Sequence, residues 1–273
     1  MFRILLNDKL APAVFRMKLE ALLVARKASP GQFVVIRIDE KGERIPLTIA
    51  DHDDKTITIV YQVVGVTTHR LSGKKRDEFL QDVAGPLGHG TEIKKIGKVC
   101  CVGGGVGIAE LYPVAKSYKL SGNKVIAVIG ARNKGLIIFK KELADICDEL
   151  FVAKDDGSEG EKGFVSDILK RVIDSGEKID LVYAVGPAIM MKVISDLTRP
   201  YNIKTIVSLN TVLVDGTGMC GSCRIDVGGK TKFVCVDGPE FDGHKINFEE
   251  LMARQSLFKE GESHACKIRG ILK

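Results

Sequence analysis

The sequence of 273 residues contains no tryptophan, and aromatic residues make up only 6% of it. Proteins that stack nucleic-acid bases use aromatic side chains as platforms, so their scarcity argues against that class of function. Positive charge is also limited: 41 Lys and Arg against 35 Asp and Glu leave a formal net charge of +6, and no long basic run concentrates it. Nucleic acid is therefore not an expected partner.

Long apolar runs are missing too. No stretch approaches the roughly 18 apolar residues of a membrane-spanning helix, and the opening residues lack the long apolar core of a signal peptide. We therefore expect a cytoplasmic protein that makes no membrane contact. Apolar residues at 45% and charged residues at 28% are ordinary for a globular protein with a sizeable core, which argues against disorder.

The first third of the chain has the periodicity of β-strands. Residues 13–19 alternate apolar with mainly polar side chains, and residues 56–64 form a run rich in β-branched residues. A Pro-Gly pair precedes a further apolar run at residues 32–38. These features predict an antiparallel β unit over residues 1–95.

Two further units follow. Residues 96–208 alternate short apolar runs with helix-like segments, two of which begin near Val165 and Ala188, and this order predicts a parallel sheet flanked by helices. Residues 209–273 are rich in Gly and Cys and have little regular periodicity. That composition is expected where a bound inorganic centre replaces part of a hydrophobic core.

A cysteine cluster lies in the last unit. Plant-type [2Fe-2S] sites have the spacing C-x4-C-x2-C with a distant fourth Cys. The last three positions match at Cys220, Cys223 and Cys235, and Asp215 stands in place of the first Cys. Glycines at 216, 218 and 221 allow the positive φ angles of a loop that wraps a cluster. The predicted metal ligands are therefore Asp215, Cys220, Cys223 and Cys235.

Three alternatives stay open for this motif. A structural zinc ion bound by the three thiolates and Asp215 is chemically allowed. The cysteines could be buried thiols without a metal, although glycine-rich loops form poor cores. Asp215 could instead be an ordinary turn residue before Gly216.

A glycine turn follows an apolar run near residue 100. The sequence GGGVG at residues 103–107 lets a pyrophosphate approach backbone amides at a helix N-terminus, although a tight turn that binds nothing is the alternative. Two later segments, at residues 155–158 and 185–187, place small residues at the ends of probable parallel strands, where ligands bind in open α/β sheets. The candidate nucleotide-binding residues are Gly104, Gly105, Gly107, Asp156, Gly157, Gly186 and Pro187.

The order of β unit, nucleotide unit and cluster loop resembles the ferredoxin-reductase superfamily. Residues 44–51 (RIPLTIAD) and the aspartate-first cluster motif are similar to the small subunit of NADH-dependent ferredoxin:NADP oxidoreductase, also described as the beta subunit of sulfide dehydrogenase. The electron-transfer subunit of dihydroorotate dehydrogenase is related, but normally carries Cys at the position of Asp215. The resemblance covers essentially the whole chain. It implies an N-terminal FAD-binding antiparallel β barrel, an NAD(P)-binding parallel α/β domain and a small C-terminal iron-sulfur module.

The resemblance also implies residues that bind FAD. Thr48 stands where a Ser or Thr hydroxyl reaches flavin N5, and an ordinary strand threonine is the alternative. The segment around Gly65 resembles the phosphate-contact segment of the family. The implied FAD contacts are Pro46, Leu47, Thr48, Gly65, Thr67 and Thr68.

Arg132 falls where the family places the adenosine ribose. It could pair with a 2′-phosphate or be a solvated surface charge, so NAD is implied by resemblance and not by this residue. The nucleotide contacts thus comprise Arg132 in addition to the glycine-rich segments.

The implied function is electron transfer between NAD(H), FAD and a [2Fe-2S] cluster. The sequence carries no motif for a second substrate, so a larger flavoprotein iron-sulfur subunit is the expected partner in a heterodimer, with ferredoxin reached through the complex. No catalytic residue is expected beyond the cofactors. Two alternatives are the electron-transfer subunit of NAD-dependent dihydroorotate dehydrogenase and a non-catalytic, zinc-stabilised regulatory module.

Overall fold

The structure is a computed structural model, and it describes residues 1–154, 161–268 and 270–271. Its N-terminal part is a seven-stranded antiparallel sheet that nearly closes into a barrel, in the order β6-β1-β2-β5-β4-β3-β7. The strands are β1 (Phe2–Ala11), β2 (Val14–Glu20), β3 (Phe33–Arg37), β4 (Arg44–His52), β5 (Thr56–Gln62), β6 (Phe79–Leu80) and β7 (Asp82–Leu87). The alternation seen in the sequence puts Met17 and Leu19 inside, where both are fully buried.

A second seven-stranded sheet follows, in the order β11-β10-β9-β8-β12-β13-β16. All neighbouring strands in it are parallel except the pair β13 and β16. The strands are β8 (Lys98–Gly104), β9 (Lys124–Ala131), β10 (Glu149–Lys154), β11 (Glu161–Lys162), β12 (Leu181–Val185), β13 (Thr205–Ser208) and β16 (Glu240–Asp242).

Helices cover both faces of this sheet, which is why its central strands are apolar on both sides. Cys101 of β8 belongs to the core on one face of the sheet, whereas Cys100 belongs to the core on the other face. The described helices are α1 (Leu22–Ala25), α2 (Val66–Ser72), α3 (Gly107–Leu120), α4 (Lys140–Ile146), α5 (Val165–Asp174), α6 (Ala188–Thr198), α7 (Val234–Asp237), α8 (Phe248–Ser256) and α9 (Lys259–Ile268).

The C-terminal part contains a small antiparallel sheet of β14 (Arg224–Val227) and β15 (Lys230–Phe233). It is less irregular than its sequence indicates, because α8 and α9 follow the cluster loop. Asn247 accepts a hydrogen bond from the backbone N–H of Glu250 at 3.1 Å and so caps the start of α8. The strand β16 belongs in space to the α/β sheet and not to this small sheet.

Glu240 of β16 links the C-terminal part to three other parts of the chain. Its Oε1 accepts hydrogen bonds from the Tyr183 hydroxyl at 2.8 Å and from the Thr91 hydroxyl at 2.5 Å. A Cβ added at Gly31, in the turn before β3, would lie 2.6 Å from the same oxygen. Burial raises the pKa of Glu240, and the two hydroxyl donors partly offset that rise. The barrel, the connecting segment, the α/β sheet and the C-terminal part therefore meet at this carboxylate.

The predicted fold class is confirmed: an antiparallel barrel precedes a parallel α/β sheet and a small C-terminal unit. The division at residues 95 and 208 stays a proposal. None of the helices in the described ranges is both long and apolar enough to cross a membrane.

Candidate functional site

The predicted flavin residues Pro46, Leu47 and Thr48 lie in β4. Thr48 is paired with Phe33 and Pro46 with Val35 across the antiparallel ladder, so these four side chains share one face of the sheet. Leu47 points the other way and packs against the barrel core. The structure thus separates Leu47 from the other two residues: Pro46 and Thr48 are half-buried and face away from the barrel interior.

The outer face of β3 and β4 lies beside the cluster loop. A Cβ added at Gly216 would approach Val35 Cγ2 at 3.2 Å and Leu87 Cδ1 at 2.8 Å. Because Val35 shares its face with Pro46, the strand segment predicted to line a flavin borders the loop predicted to hold a metal cluster.

The predicted phosphate segment surrounds the start of α2. The Thr68 hydroxyl accepts hydrogen bonds from the backbone N–H groups of Val64 at 3.0 Å and Gly65 at 3.1 Å, so this side chain ties the residues before α2 to its first turn. The Thr67 hydroxyl donates to the carboxylate of Glu43, one residue before β4. Gly65 keeps open space around it, because an added Cβ would meet no atom within 4 Å. The phosphate segment is therefore joined to the beginning of the flavin strand.

The glycine turn and the residues after β12 are brought together. A Cβ at Gly107 would lie 2.8 Å from the Val185 carbonyl oxygen, and one at Gly186 would lie 3.1 Å from the backbone nitrogen of Gly104. A Cβ at Gly104 would approach Pro187 Cδ at 3.2 Å. Close packing of the ends of β8 and β12 thus requires glycine at these positions.

Gly105 differs from its neighbours because its backbone borders open space. Its φ of +58° is a left-handed conformation, and a Cβ there would meet nothing within 4 Å. The turn therefore borders open space at the carboxyl edge of the parallel sheet, the edge at which open α/β sheets bind their ligands.

Of the two other predicted nucleotide segments, one follows β9, whose Gly130 carbonyl accepts a hydrogen bond from the Gly105 N–H at 2.9 Å, and the other lies outside the described residues. Arg132 is exposed and follows the last residue of β9. Asp156 and Gly157 lie outside the described residues, so their predicted role stays a prediction.

Glu110, which sequence reasoning missed, lies close to the glycine turn. It is in the first turn of α3, three residues after Gly107, and is half-buried. Burial raises the pKa of Glu110 to about 7, while a hydrogen bond from the Thr48 hydroxyl favours the ionised form. The available signal was its position as the sole acid in the segment GIAELYPVAKSYKL, flanked by apolar residues.

The cluster loop is organised around Asp215. Its Oδ1 accepts a hydrogen bond from the backbone N–H of Thr217 at 2.8 Å, and its Oδ2 accepts one from the N–H of Cys220 at 3.0 Å. The backbone bond to Thr217 is the main reason that the pKa of Asp215 is lowered. The Asp215 carboxylate therefore closes the loop by accepting two backbone hydrogen bonds. One of its oxygens lies next to the backbone of Cys220.

Two of the predicted thiol ligands are placed as a pair. Cys223 and Cys235 are buried, and their sulfur atoms lie 3.2 Å apart. Burial and the neighbouring Cys223 raise the pKa of Cys235 to about 12. Cys220 is exposed at the rim, and hydrogen bonding from Ser222 lowers the pKa of its thiol.

The donor set suits an iron-sulfur cluster in kind. The loop supplies three free thiols and a carboxylate, and Gly216, Gly218 and Gly221 all have positive φ angles. In the described ranges, however, no three or more His, Cys, Asp or Glu side chains converge tightly enough to hold a single metal ion. The thiol pair and the carboxylate loop are in place, whereas Cys220 lies outside the pair.

Two parts of the chain match known protein families. Residues 101–196 match the oxidoreductase NAD-binding domain, and residues 210–247 match the iron-sulfur cluster binding domain of dihydroorotate dehydrogenase B. The second match is to an iron-sulfur domain and thus speaks against the zinc-stabilised regulatory module.

Whole-chain relatives agree with these matches. The chain is 48% identical over 256 residues to a homolog of the dihydroorotate dehydrogenase B electron transfer subunit from Thermotoga maritima, covering 93% of this chain and 90% of the relative. It is 34% identical to the dihydroorotate dehydrogenase B (NAD(+)) electron transfer subunit of Caldanaerobacter subterraneus, with coverages of 90% and 97%.

Solved structures share the fold. A chain of the NADH-dependent reduced ferredoxin-NADP oxidoreductase, described in work on flavin-based electron bifurcation, superposes with a TM-score of 0.92 at 46% identity, over 98% of this chain and 97% of that one. Phthalate dioxygenase reductase superposes at 0.64 with 16% identity, over 83% and 85%, which shows the fold alone.

The predicted family and enzyme class are confirmed, as are the cofactors FAD, an iron-sulfur cluster and NAD(H). The chain belongs to the family of dihydroorotate dehydrogenase B electron-transfer subunits and their homologs, oxidoreductases built from a ferredoxin-reductase-like fold with an NAD-binding and an iron-sulfur domain.

Proposed function

We propose that this chain passes electrons between NAD(H), FAD and one [2Fe-2S] cluster, to or from a larger flavoprotein subunit, as in an NADH-dependent ferredoxin:NADP oxidoreductase complex. The observation that carries the proposal is the 46% identity and TM-score of 0.92 over 98% of the chain to a subunit of that enzyme. The geometry supports it, because the outer face of β4 borders both the cluster loop and the first turn of α3.

In this proposal each segment of the chain has one task. Pro46 and Thr48 line the flavin ring. The segment of Gly65, Thr67 and Thr68 binds the phosphates of FAD. Thr67 now donates to Glu43, so phosphate binding requires this carboxylate to move.

The nucleotide lies beside Gly105, where the backbone borders open space. The other contacts proposed for it are Gly104, Gly107, Arg132, Asp156, Gly157, Gly186 and Pro187. A flavin accepts a hydride and releases its electrons singly, and an iron-sulfur cluster accepts one electron at a time.

The cluster ligands in this proposal are Asp215, Cys220, Cys223 and Cys235. Cys223 and Cys235 already lie side by side, so Cys220 has to turn inward from the rim. The loop around them exposes apolar side chains: Met219 is 87% exposed and Val214 51%. Exposed apolar groups beside an electron-transfer centre suit a surface that docks against the larger subunit.

A second candidate is the electron-transfer subunit of dihydroorotate dehydrogenase. It is favoured by the iron-sulfur domain match at residues 210–247. Asp215, in place of the Cys normal in that enzyme, favours the first candidate.

Cofactor analysis of anaerobically purified protein tests the shared part of the proposal. We expect about two irons and one FAD per chain, with bleaching of the flavin spectrum on addition of NADH. One zinc ion per chain without iron would contradict it.

Co-expression of the chain with the larger subunit of each candidate enzyme distinguishes the two functions. We expect exchange of electrons among NADH, ferredoxin and NADP. Oxidation of dihydroorotate with NAD, and no ferredoxin-linked activity, would favour the second candidate.

A further inference from the structure

The loop that carries the proposed cluster ligands is held against the barrel at both of its ends. At its start, a Cβ added at Gly216 would lie 2.8 Å from Leu87 Cδ1 and 3.2 Å from Val35 Cγ2. After its last proposed ligand, the Gly238 carbonyl oxygen accepts a hydrogen bond from the backbone N–H of His89 at 2.6 Å. The proposed ligands lie between these two contacts, so the position of the cluster relative to the barrel depends on them.

Both contacts reach the face of the barrel on which the flavin is proposed to lie. Val35 is paired with Pro46, and Phe33 with Thr48, across β3 and β4, so the four side chains share that face. A Cβ added at Gly88, which follows β7, would lie 3.0 Å from Phe33 Cε1. The loop is therefore seated on the strand next to the one proposed to line the flavin.

The thiol pair and the outer face of β3 share one apolar core. Cys223 and Cys235 belong to the same group of buried side chains as Phe33 and Val35, and Leu213, two residues before the first proposed ligand, packs against it. Protein interiors are packed as densely as organic crystals, so a group added to such a core moves its neighbours. Packing thus sets the separation between the loop and the barrel.

Gly216 is the position at which this separation is smallest. It is buried and its φ is +80°, a left-handed conformation that favours glycine. The end of the Leu87 side chain can turn away from an added group. Val35 is buried and β-branched, which restricts its rotamers, so it can yield little. Any side chain at position 216 would therefore push the loop away from the barrel.

We propose that Gly216 is a positioning residue that fixes the distance between the flavin and the iron-sulfur cluster, and with it the rate at which an electron passes between them. The inference rests on the proposed function, since it takes the outer face of β4 to line the flavin and the loop to hold the cluster. Gly216 itself contacts neither cofactor in this proposal and acts through the seat of the loop on β3 and β7.

The distance matters because this step is a transfer of single electrons. One electron leaves the reduced flavin and enters the oxidised cluster, so the flavin is oxidised by one electron as the cluster is reduced by one. The electron tunnels through the protein between the two centres, and the rate of tunnelling falls steeply as their separation grows. A loop displaced from the barrel would slow the step while both cofactors stay bound.

The test compares two substitutions of increasing size in the chain loaded with FAD and its cluster. Gly216→Ala should move the loop slightly, and Gly216→Leu should move it further. A laser flash that delivers one electron to the flavin starts the transfer, and the absorbance of the cluster records its rate. We expect the rate to fall several-fold in Gly216→Ala and further in Gly216→Leu. The midpoint potentials of both centres should stay at their wild-type values, which excludes a change in driving force.

Gly221→Ala and Gly221→Leu are the matched controls. Gly221 lies in the same loop, and its φ of +68° is close to that of Gly216, so a side chain meets similar backbone strain at both positions. The nearest atom to a Cβ added at Gly221 would be Phe233 Cε1, at an ordinary contact distance of 3.8 Å. The rate of electron transfer should therefore keep its wild-type value in both controls.

A second measurement reports the distance without any turnover. When the flavin and the cluster each hold one unpaired electron, EPR spectroscopy detects their magnetic interaction, which weakens as the separation grows. The interaction should weaken in the order wild type, Gly216→Ala, Gly216→Leu. Val35→Leu lengthens the side chain that faces Gly216 and leaves the ligand-bearing loop unaltered, so it should weaken the interaction from the barrel side.

The outcomes separate this role from the proposed function. A wild-type rate and magnetic interaction in Gly216→Leu, or equal losses in Gly221→Leu, would overturn the role of Gly216 and leave the proposed function standing. If the variants at position 216 hold no cluster, Val35→Leu decides, and an unchanged rate and interaction there would overturn the role. A wild-type chain that binds no FAD or no iron would overturn the proposed function together with it.

Discussion

At the scale of single residues, Asp215 combines two tasks that a substitution has to separate. Both of its oxygens accept backbone hydrogen bonds within the loop. Its proposed role as an iron ligand comes from its position in the cluster motif of the sequence. Loss of the cluster in Asp215→Ala is therefore ambiguous, because that change also removes the two acceptors that close the loop. Asn keeps one oxygen acceptor and is a poor substitute for an anionic ligand.

The first prediction compares two variants at position 215 with the wild type. If Asp215 is an iron ligand, Asp215→Cys should keep a cluster with an altered EPR signal and potential, and Asp215→Asn should lose the cluster or strongly perturb it. The measurement is EPR spectroscopy with iron analysis on anaerobically purified chains. Wild-type spectra in both variants would show that Asp215 is only a turn residue. Reduction of the flavin by NADH should survive in all variants, since it occurs upstream of the cluster.

The second prediction concerns the effect of Glu110 on stability. Its pKa is raised from 4.5 in the unfolded chain to about 7 in the fold. The folded state therefore binds more protons between these values, and stability is lost as pH rises through that window. At 1.36 kcal/mol per pKa unit, and with a reduction for its partial exposure, the loss should be roughly 1 to 3 kcal/mol. Urea unfolding of the wild type and Glu110→Gln at pH 5 and pH 8 measures it: the variant should gain relative stability at pH 8. An equal difference at both pH values would contradict the prediction.

At the scale of elements, the sequence predicted those strands and helices whose formation depends on neighbouring residues in the chain. Alternation identified β2, and the apolar run with its glycine turn identified β8 and the helix that ends at Leu120. The edge strand β16 was not predicted, because its pairing partner β13 lies more than thirty residues earlier and only the fold brings them together. Glu110 was missed for the same reason: its significance depends on Thr48, a contact between two domains. The candidate glycines Gly104, Gly107 and Gly186 are brought together, whereas Leu47 faces the barrel core.

The third prediction tests the junction at β16. Glu240→Ala removes the shared acceptor of the Tyr183 and Thr91 hydroxyls, which are part of a largely buried cluster. An unsatisfied buried hydroxyl costs roughly 1 to 3 kcal/mol, so the free energy of unfolding should fall by about that amount. Glu40→Ala, at an exposed loop carboxylate, is the control and should change it by less than about 0.5 kcal/mol. Denaturant titration decides, and equal stability of the two variants would show that the junction is not held by Glu240.

At the scale of the whole molecule, the parts are arranged as a route with one end exposed. The proposed nucleotide site lies at the carboxyl edge of the parallel sheet, the strand proposed to line the flavin packs against α3 beside it, and the cluster loop borders the same strand through Gly216. The far side of that loop is open to solvent and carries Met219 and Val214, which are largely exposed. In the proposed function, this exposed end is where the larger subunit contacts the chain.

The fourth prediction places the partner at the cluster loop. Met219→Lys puts a charge where an apolar contact is proposed; burying an unpaired charge is strongly unfavourable, so assembly with the larger subunit should weaken at least tenfold. Leu120→Lys is the matched control: Leu120 is 79% exposed, like Met219 at 87%, but it ends α3, at the opposite end of the helix from the glycine turn.

Sedimentation of the co-purified subunits measures assembly, and EPR of each variant checks that the cluster is intact. Reduction of the flavin by NADH should be unchanged in both, because that step is internal to the chain, whereas delivery of electrons to the partner should fall only in Met219→Lys. Normal assembly of Met219→Lys, or equal weakening by Leu120→Lys, would place the contact elsewhere on the chain.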